Sequence, residues 1–573
     1  MKELLKAARM EEPSDLLLAG GRVANLYTLE YEDADVAIKD GIIIGIGRGY
    51  EARETVDCTG LTLAPGFVEG HMHVESTSMT PRNLAAAVAP RGTSTIMADP
   101  HEIANTCGMD GVRFMQRESR DLPVDIFYGA PSGVPASEME TPFAPLTSND
   151  IKTLFDEGVC THLGEMMNFP GVFLGDDEAW AKLDAAKGRV ITGHAPGLSG
   201  ALLNSYIMGG VTSDHECASV DEAMEKLRRG MYIMIRQGAT ARNQKTLAPI
   251  VANDERLAMR CMLVSDDITP AFMHERGHLD GCVREIIAEG VSPLAALRMA
   301  SLTPAEYFRL DDRGAIAPGR IADIVALESV DNCSVKKVWK RGVLTAEDGR
   351  LIKPIAPSVV SDLPGYRGHV RTPTPDELRV PVPHEGAKLN AIGVIQNQVA
   401  TKTLVIAPTV VDGFAVADAS RDIAKMAVVE KNRGTGRVGI GFLKDFGLLR
   451  GAVGSSVAHD AHNFTCAGMD DVSMATVFTA LAESNGGLVL ALGEKVLARL
   501  ALPVGGLMSL LPADELREAM IPLKAARGEL GCGDGKVFMH LAFLSLSVIP
   551  ELKLTDQGYF DISRLKRLPL WAE

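Results

Sequence analysis

Between Gly66 and about Leu310, short apolar runs alternate with stretches whose apolar residues recur at helical spacing. The runs are GFVEG (66–70), TSTIMA (93–98), DIFYGA (125–130), GVCTHLGE (158–165), RVITGH (189–194), GVTSDH (210–215), MYIMIR (231–236) and CMLVSD (261–266). The intervening DEAMEKLRRG and VREIIAEG, the second closed by glycine, read as amphipathic helices. Strands alternating with helices predict parallel pairing. Eight such units over roughly 245 residues predict a (β/α)8 barrel.

The flanks have a different texture. Residues 1 to about 12 predict a short amphipathic helix, and Asp15–Val56 reads as short β runs with a hairpin signal at Lys39-Asp40-Gly41. After the helical region, GAIAPGRIADIVALE (314–328) and VKKVWKRGVL (335–344) are again β-like. These two β regions predict one small unit, 1–65 with 311–352, into which the barrel (66–310) is inserted. Residues 353–384 carry Pro354, Pro357, Pro364, Pro373, Pro375, Pro381 and Pro383, a linker composition. Residues 385–573 read as a third domain of mixed α/β texture. The predicted class is α/β, in several domains, as a length of 573 residues requires.

Composition narrows the partners. A hydrophobic fraction of 46% with 23% charged residues is ordinary globular composition. The net charge of −16 opposes binding to a nucleic-acid backbone, though not to a neutral base or small polar molecule. Nine scattered cysteines without C-x-x-C suit a reducing cytosol rather than a disulfide framework. The N-terminus lacks the apolar core of a signal peptide, and no run approaches ~18 apolar residues. The expectation is a cytoplasmic protein that binds neither membrane nor nucleic acid.

The chemistry gathers at the predicted strand ends. His71 and His73 stand two residues apart on an extended strand, so their imidazoles share one face. The second run leads into Asp99-Pro100-His101-Glu102, the fourth ends on Glu165, the fifth on His194, the sixth on His215, and the eighth on Asp266-Asp267. Barrel active sites sit at the C-terminal ends of the strands. Four histidines (71, 73, 194 and 215) with Glu165 and Asp266 are the inventory for two divalent first-row ions sharing a bridging water or hydroxide. Ligand softness does not choose between Zn, Mn and Fe(II). Such ions lower the pKa of water and yield a nucleophile at neutral pH. Asp266, directly after the apolar strand, is preferred to Asp267 as metal ligand and as the base that takes the water's proton.

The motif P-G-F-x-E-G-H-x-H with His on strands 5 and 6 and Asp on strand 8 resembles the amidohydrolase superfamily. The split β unit is similar to that superfamily's composite β-sandwich. DPHE (99–102), GEMMNFPGV (164–172), GHAPGLSG (193–200), SDHE (213–216) and GHLDG (277–281) resemble its bacterial adenine-deaminating branch, and GTGRVGIGF (434–442) and SSVAHDAHN (455–463) extend the likeness into the third domain. Glu165 stands where many superfamily members carry a carboxylated lysine, which agrees with that branch. The resemblance implies hydrolysis of adenine to hypoxanthine and ammonia. It points to Glu102, with His101 and Asp99, for proton delivery or for anchoring the base, and to His278 as a substrate contact near the pocket mouth. An acid poised near neutrality needs a raised pKa, which neighbouring carboxylates supply. Alternatives are an amidohydrolase acting on another nucleobase or a cyclic amide, and a non-catalytic metal-binding barrel. Symmetry base rates give a homodimer.

Other motifs carry less. His73-Val74-Glu75 lacks the P-C-x-x-C of the cytidine-type deaminases. His274–His278 spells H-E-x-x-H, but Gly277 interrupts the helix a zincin needs. Gly434–Gly439 spells G-x-G-x-x-G without a surrounding βαβ unit and reads as a turn. His459 and His462 stand between two readings, reaching the barrel mouth or serving structure.

Overall fold

The computed structural model describes residues 2–239, 242–358, 365, 368–396, 398–532 and 537–572. Eight parallel strands occupy its middle: β1 (Phe67–Met72), β2 (Thr93–Ala98), β3 (Asp125–Ala130), β4 (Cys160–Met166), β5 (Ile191–Gly193), β6 (Ser213–Asp214), β7 (Tyr232–Arg236) and β8 (Cys261–Val264). Each falls on one of the eight apolar runs. β1 to β5 pair in order as one parallel arc. β6 to β8 pair as a second.

The arcs meet at both ends. Asp266 N–H donates to the His71 carbonyl at 3.0 Å, and Thr212 N–H donates to the Ile191 carbonyl at 3.1 Å. At the β5–β6 junction a Cβ on Gly193 would lie 2.2 Å from the Ser213 carbonyl oxygen, so only glycine lets the strands approach. Helices cover the outside, and Met97, Met234, Met262, Val264, Tyr307 and Phe308 form one buried cluster. With both faces covered, β1, β2 and β8 are buried at every position, which is why they read as continuous apolar runs.

Strands from the two flanks of the helical region pair with each other. Ile324–Ser329, far down the chain, runs antiparallel to Thr62–Pro65. It thereby joins a seven-stranded sheet that also contains Arg22–Asn25 and Glu30–Asp33. A four-stranded sheet from residues 14–57 faces it across a core that includes Leu18, Val36, Ile38, Leu63, Ile324 and Trp339. The hairpin at Asp40-Gly41 forms as expected: both residues have positive φ, 51° and 73°, the conformation that two-residue hairpin turns demand.

The C-terminal third carries a nine-stranded mixed sheet. Helix Asp471–Glu483 packs on it, and helices Ala513–Leu530 and Val537–Phe543 follow. This third is tied to the segments that follow the parallel strands: Asn83 Nδ2, in helix Pro81–Val88, donates to the Leu511 carbonyl at 2.9 Å, and Thr141 Oγ1 donates to Asp556 Oδ2 at 2.7 Å. The proline-rich stretch lies partly outside the described residues, at 359–364 and 366–367. Its last part is folded rather than free. Leu378 is fully buried, and Val380-Pro381 pairs with Phe414-Ala415. Among the described residues no helix is long and apolar enough to cross a membrane.

Candidate metal centre and active site

The expected ligand residues meet at the C-terminal ends of the strands. His73 Nε2 lies 3.2 Å from Asp266 Oδ1 and 3.5 Å from Glu165 Oε1. His71 Nε2 is 3.5 Å from Asp266 Oδ1. On the far side of Glu165, His194 Nδ1 and His215 Nε2 lie 3.0 and 3.3 Å from its Oε2. These two ring nitrogens face each other at 3.3 Å. Two triads, His71–His73–Glu165 and Glu165–His194–His215, therefore share one carboxylate, and each can hold a metal ion.

The local chain shape produces this convergence. The register of β1 against β2 shifts between Glu69 and Met72, an irregularity that re-aims the side chains at the strand end. Asp266 has a φ of 56°, a left-handed conformation that Asp tolerates better than most residues, and it turns the carboxylate back toward β1. His73 Nδ1–H donates to the Asp99 carbonyl at 3.1 Å, the tautomer that leaves Nε2 bare toward the site. His71 Nε2 is buried and makes no hydrogen bond. Bare imidazole nitrogens and carboxylates packed this closely, out of water, are a donor set that fits divalent cations.

Asp99, His101 and Glu102 sit beside the triads at the start of helix His101–Glu118. Asp99 Oδ2 accepts the Glu165 N–H at 2.7 Å, so the second strand's loop braces the shared carboxylate. His101 Nδ1 is 3.4 Å from Asp99 Oδ1 and 3.5 Å from Glu165 Oε1. Burial opposes its charge, but the carboxylates of Asp99 and Glu165 together outweigh this and raise His101 to about 10. Glu102 is buried and held above the usual carboxylate range, first by burial and also by Asp267. Glu75, buried next to it, is pushed up to about 7 by burial and by Glu102. A carboxyl pair of this kind keeps a proton near neutrality.

Of the two adjacent aspartates, Asp266 faces His71 and His73, whereas Asp267 accepts a hydrogen bond from Ser76 Oγ. His278 corrects the expectation made for it. It is 1% exposed and sits behind the strands, Nδ1 2.8 Å from Thr93 Oγ1 and Nε2 3.4 Å from Glu69 Oε2. The reason is local: His278 opens helix Leu279–Ala288, whose start packs against the foot of β2. Gly277 ends the preceding helix Pro270–Arg276, which removes the H-E-x-x-H reading.

Several residues at the site were not singled out from sequence. Arg236, closing β7, bonds Glu216 Oε1 at 2.6 Å and also Asp266. Glu216 lies 3.3 Å from His215 Nε2. Although burial opposes it, His194, His215 and Arg236 hold Glu216 down at about 2. Glu69 accepts the backbone N–H groups of Ser265 and His71, each at 3.1 Å, and burial raises it to about 8. The available signal was a charged residue closing or interrupting an otherwise apolar strand.

A cavity of about 480 Å³ opens beside this cluster, lined by Ser76, Asp267 and Thr269 on one side and by His459, Met520 and Phe543 of the C-terminal third on the other. A somewhat larger cavity, about 550 Å³, lies around Arg91, Arg284 and Arg517; only the former is bordered by Asp267, the neighbour of Asp266, and by Ser76, which bonds Asp267, so we place the chemistry there.

Comparison with known proteins matches residues 62–345 to the amidohydrolase family and residues 398–566 to the adenine deaminase C-terminal domain. A protein of Oleidesulfovibrio alaskensis named adenine deaminase is 41% identical over 581 residues, covering 100% of this chain and 99% of that protein. One of the same name from Desulfatibacillum aliphaticivorans is 42% identical over 563 residues, 98% of each chain. Among solved structures, a D-hydantoinase aligns with a TM-score of 0.44 at 17% identity, covering 59% of this chain and 97% of that one. The dihydropyrimidinase of Brevibacillus agri aligns at 0.46 and 15% identity, covering 59% and 96%.

Proposed function

The chain belongs to the adenine deaminase family of amidohydrolases, and from that membership and the site we propose that it hydrolyses adenine to hypoxanthine and ammonia. The observation that carries the reading is the near-identical span of the named relatives, whose full length matches this chain.

We assign His71, His73, Glu165 and Asp266 to one divalent ion and Glu165, His194 and His215 to a second, with Mn, Fe(II) or Zn as candidates. Bound there, the ions would lower the pKa of water and supply a nucleophile at neutral pH. The chain's own groups do the rest. Asp266 accepts the proton of the attacking water, whose oxygen bonds to C6 of adenine. Glu102, held above the usual carboxylate range by burial and by Asp267, delivers a proton to ring nitrogen N1. His101 and Asp99 hold Glu165 and the start of the Glu102 helix in place. The C6–N bond to the amino group then breaks: ammonia leaves with the proton that Asp266 took from water, and as C6=O forms the remaining hydroxyl proton passes to Glu102, restoring its carboxyl. Arg236 fixes Asp266 and Glu216 relative to each other.

For the architecture, we read the two parallel arcs as one closed (β/α)8 barrel at 66–310, inserted in a β-sandwich made by 1–65 and 311–352. A linker at 353–384, whose last residues pack into the C-terminal third at Leu378 and Val380-Pro381, leads to the α/β domain at 385–573. We take the assembly as a cytoplasmic homodimer, which light scattering checks.

The test is ammonia release from adenine, adenosine, guanine, cytosine and a cyclic amide, using metal-stripped protein reloaded separately with Mn, Fe(II) and Zn. Turnover of adenine that depends on about two ions per chain is the expected result. Turnover of another ring instead would keep the ligands and move the specificity. Retained metal with no turnover of any ring would overturn the enzyme reading.

A further inference from the structure

Two histidines of the C-terminal third end against the carboxyl of Glu102. They lie between strands Ala452–Ser455 and Phe464–Gly468. His459 Nδ1 is 3.5 Å from Glu102 Oε1, and His462 Nε2 is 3.9 Å from Glu102 Oε2. Both His462 and Glu102 are buried. The facing atoms, His462 Nε2 and Glu102 Oε2, make no hydrogen bond to any other group and at 3.9 Å stand just beyond one to each other.

His462 is oriented from behind. Its Nδ1 accepts the Ala458 N–H at 3.1 Å, so a neutral ring carries its proton on Nε2, the nitrogen that faces Glu102. That tautomer argues against a cation held by Glu102, His459 and His462, because ligation needs a bare nitrogen. It makes His462 a donor aimed at a carboxyl oxygen. His459 is placed differently: its ring stacks on Phe543 at 4.7 Å and 18°, and it lines the cavity. A buried donor and acceptor left unpaired lose their hydration without a replacement bond, so the N–H of His462 and the carboxyl of Glu102 are drawn to one another.

We propose that the C-terminal domain completes the active site: His462, seconded by His459, positions the Glu102 carboxyl against the substrate ring. His462 acts through Glu102 and is a positioning residue. The inference rests on the assignment of Glu102 as the proton-delivering group.

The experiment uses the metal-loaded full chain with Glu102→Gln, His462→Leu and His462→Gln. Gln keeps an N–H donor at similar reach, and Leu removes it at similar size. The expected result for His462→Leu is unchanged metal content and a kcat lowered about tenfold or more, with KM changed less than about threefold. His462→Gln recovers most of the loss. In the Glu102→Gln background, His462→Leu has no added effect on kcat or on hypoxanthine affinity measured by calorimetry. Wild-type kcat in His462→Leu with Glu102→Gln inactive overturns the inference and leaves the function standing. Wild-type activity in Glu102→Gln removes the assignment beneath it. If His462→Leu fails to fold, His459→Leu carries the test, and an effect additive with Glu102→Gln overturns the proposal.

Discussion

Lys226 and Asp214 form an ion pair at 2.9 Å with neither side chain exposed. The pair ties two ligand-bearing strand ends together. Asp214 directly precedes His215 and accepts the Ala195 N–H at 2.8 Å, while Lys226 Nζ donates to the Ala195 carbonyl at 2.8 Å, one residue beyond His194. Lys226→Met leaves a buried carboxylate without its partner, a loss of about 3–5 kcal/mol. Both the melting temperature and the metal content of the purified protein are expected to fall. A normal metal content in a folded variant would confine Lys226 to stability alone.

Glu165 meets four imidazoles: those of His73 and His101 at Oε1, and of His194 and His215 at Oε2. Glu165→Gln puts an uncharged amide where both triads need an anion. Bound metal should drop well below that of the wild type, and activity by about 100-fold or more. Elemental analysis beside a rate assay checks this, and full activity would rule out the shared carboxylate.

Gly164 precedes that carboxylate, and a Cβ there would lie 2.4 Å from Asp99 Oδ2. Gly164→Ala must push Asp99 away from the Glu165 N–H it accepts. A shift of this kind costs about tenfold or more in rate, with the far-UV spectrum and melting temperature close to wild type. Unchanged kinetics would show that Asp99 does not brace the site.

Lys553 is fully buried, with Nζ donating to the Val399 carbonyl at 2.7 Å and the Phe543 carbonyl at 3.0 Å. Burial lowers it from 10.5 to about 7. Between those values the unfolded chain holds a proton that the folded chain has released, so stability falls as pH drops from 10.5 toward about 7. Wild-type melting temperature should therefore rise relative to Lys553→Met between pH 7 and pH 10. A constant gap would mean that the amine stays charged in the fold.

The eight central strands were legible in the chain because strands covered on both faces read as short apolar runs, and most of those runs, though not DIFYGA, lead into a polar residue. His71, His73, Glu165, His194, His215 and Asp266 could be chosen from position alone for the same reason: a strand end is where an apolar run stops. The β texture on both flanks of the helical stretch pointed to one unit, and Ile324–Ser329 pairs with Thr62–Pro65.

What sequence spacing does not encode is approach between residues distant in the chain. Glu102 and His462 are 360 positions apart and meet only when the C-terminal sheet docks on the strand ends. Arg236 and Glu216 looked like ordinary strand-end charges until Asp266 turned toward them. His278 matched a motif, yet the start of its helix carried it behind β2 to Thr93. Periodicity along the chain is a local consequence of which face is buried, so the sequence alone determines the elements and the residues at their ends. Which of those residues share a site is decided by how whole elements pack, and only the tertiary structure holds that.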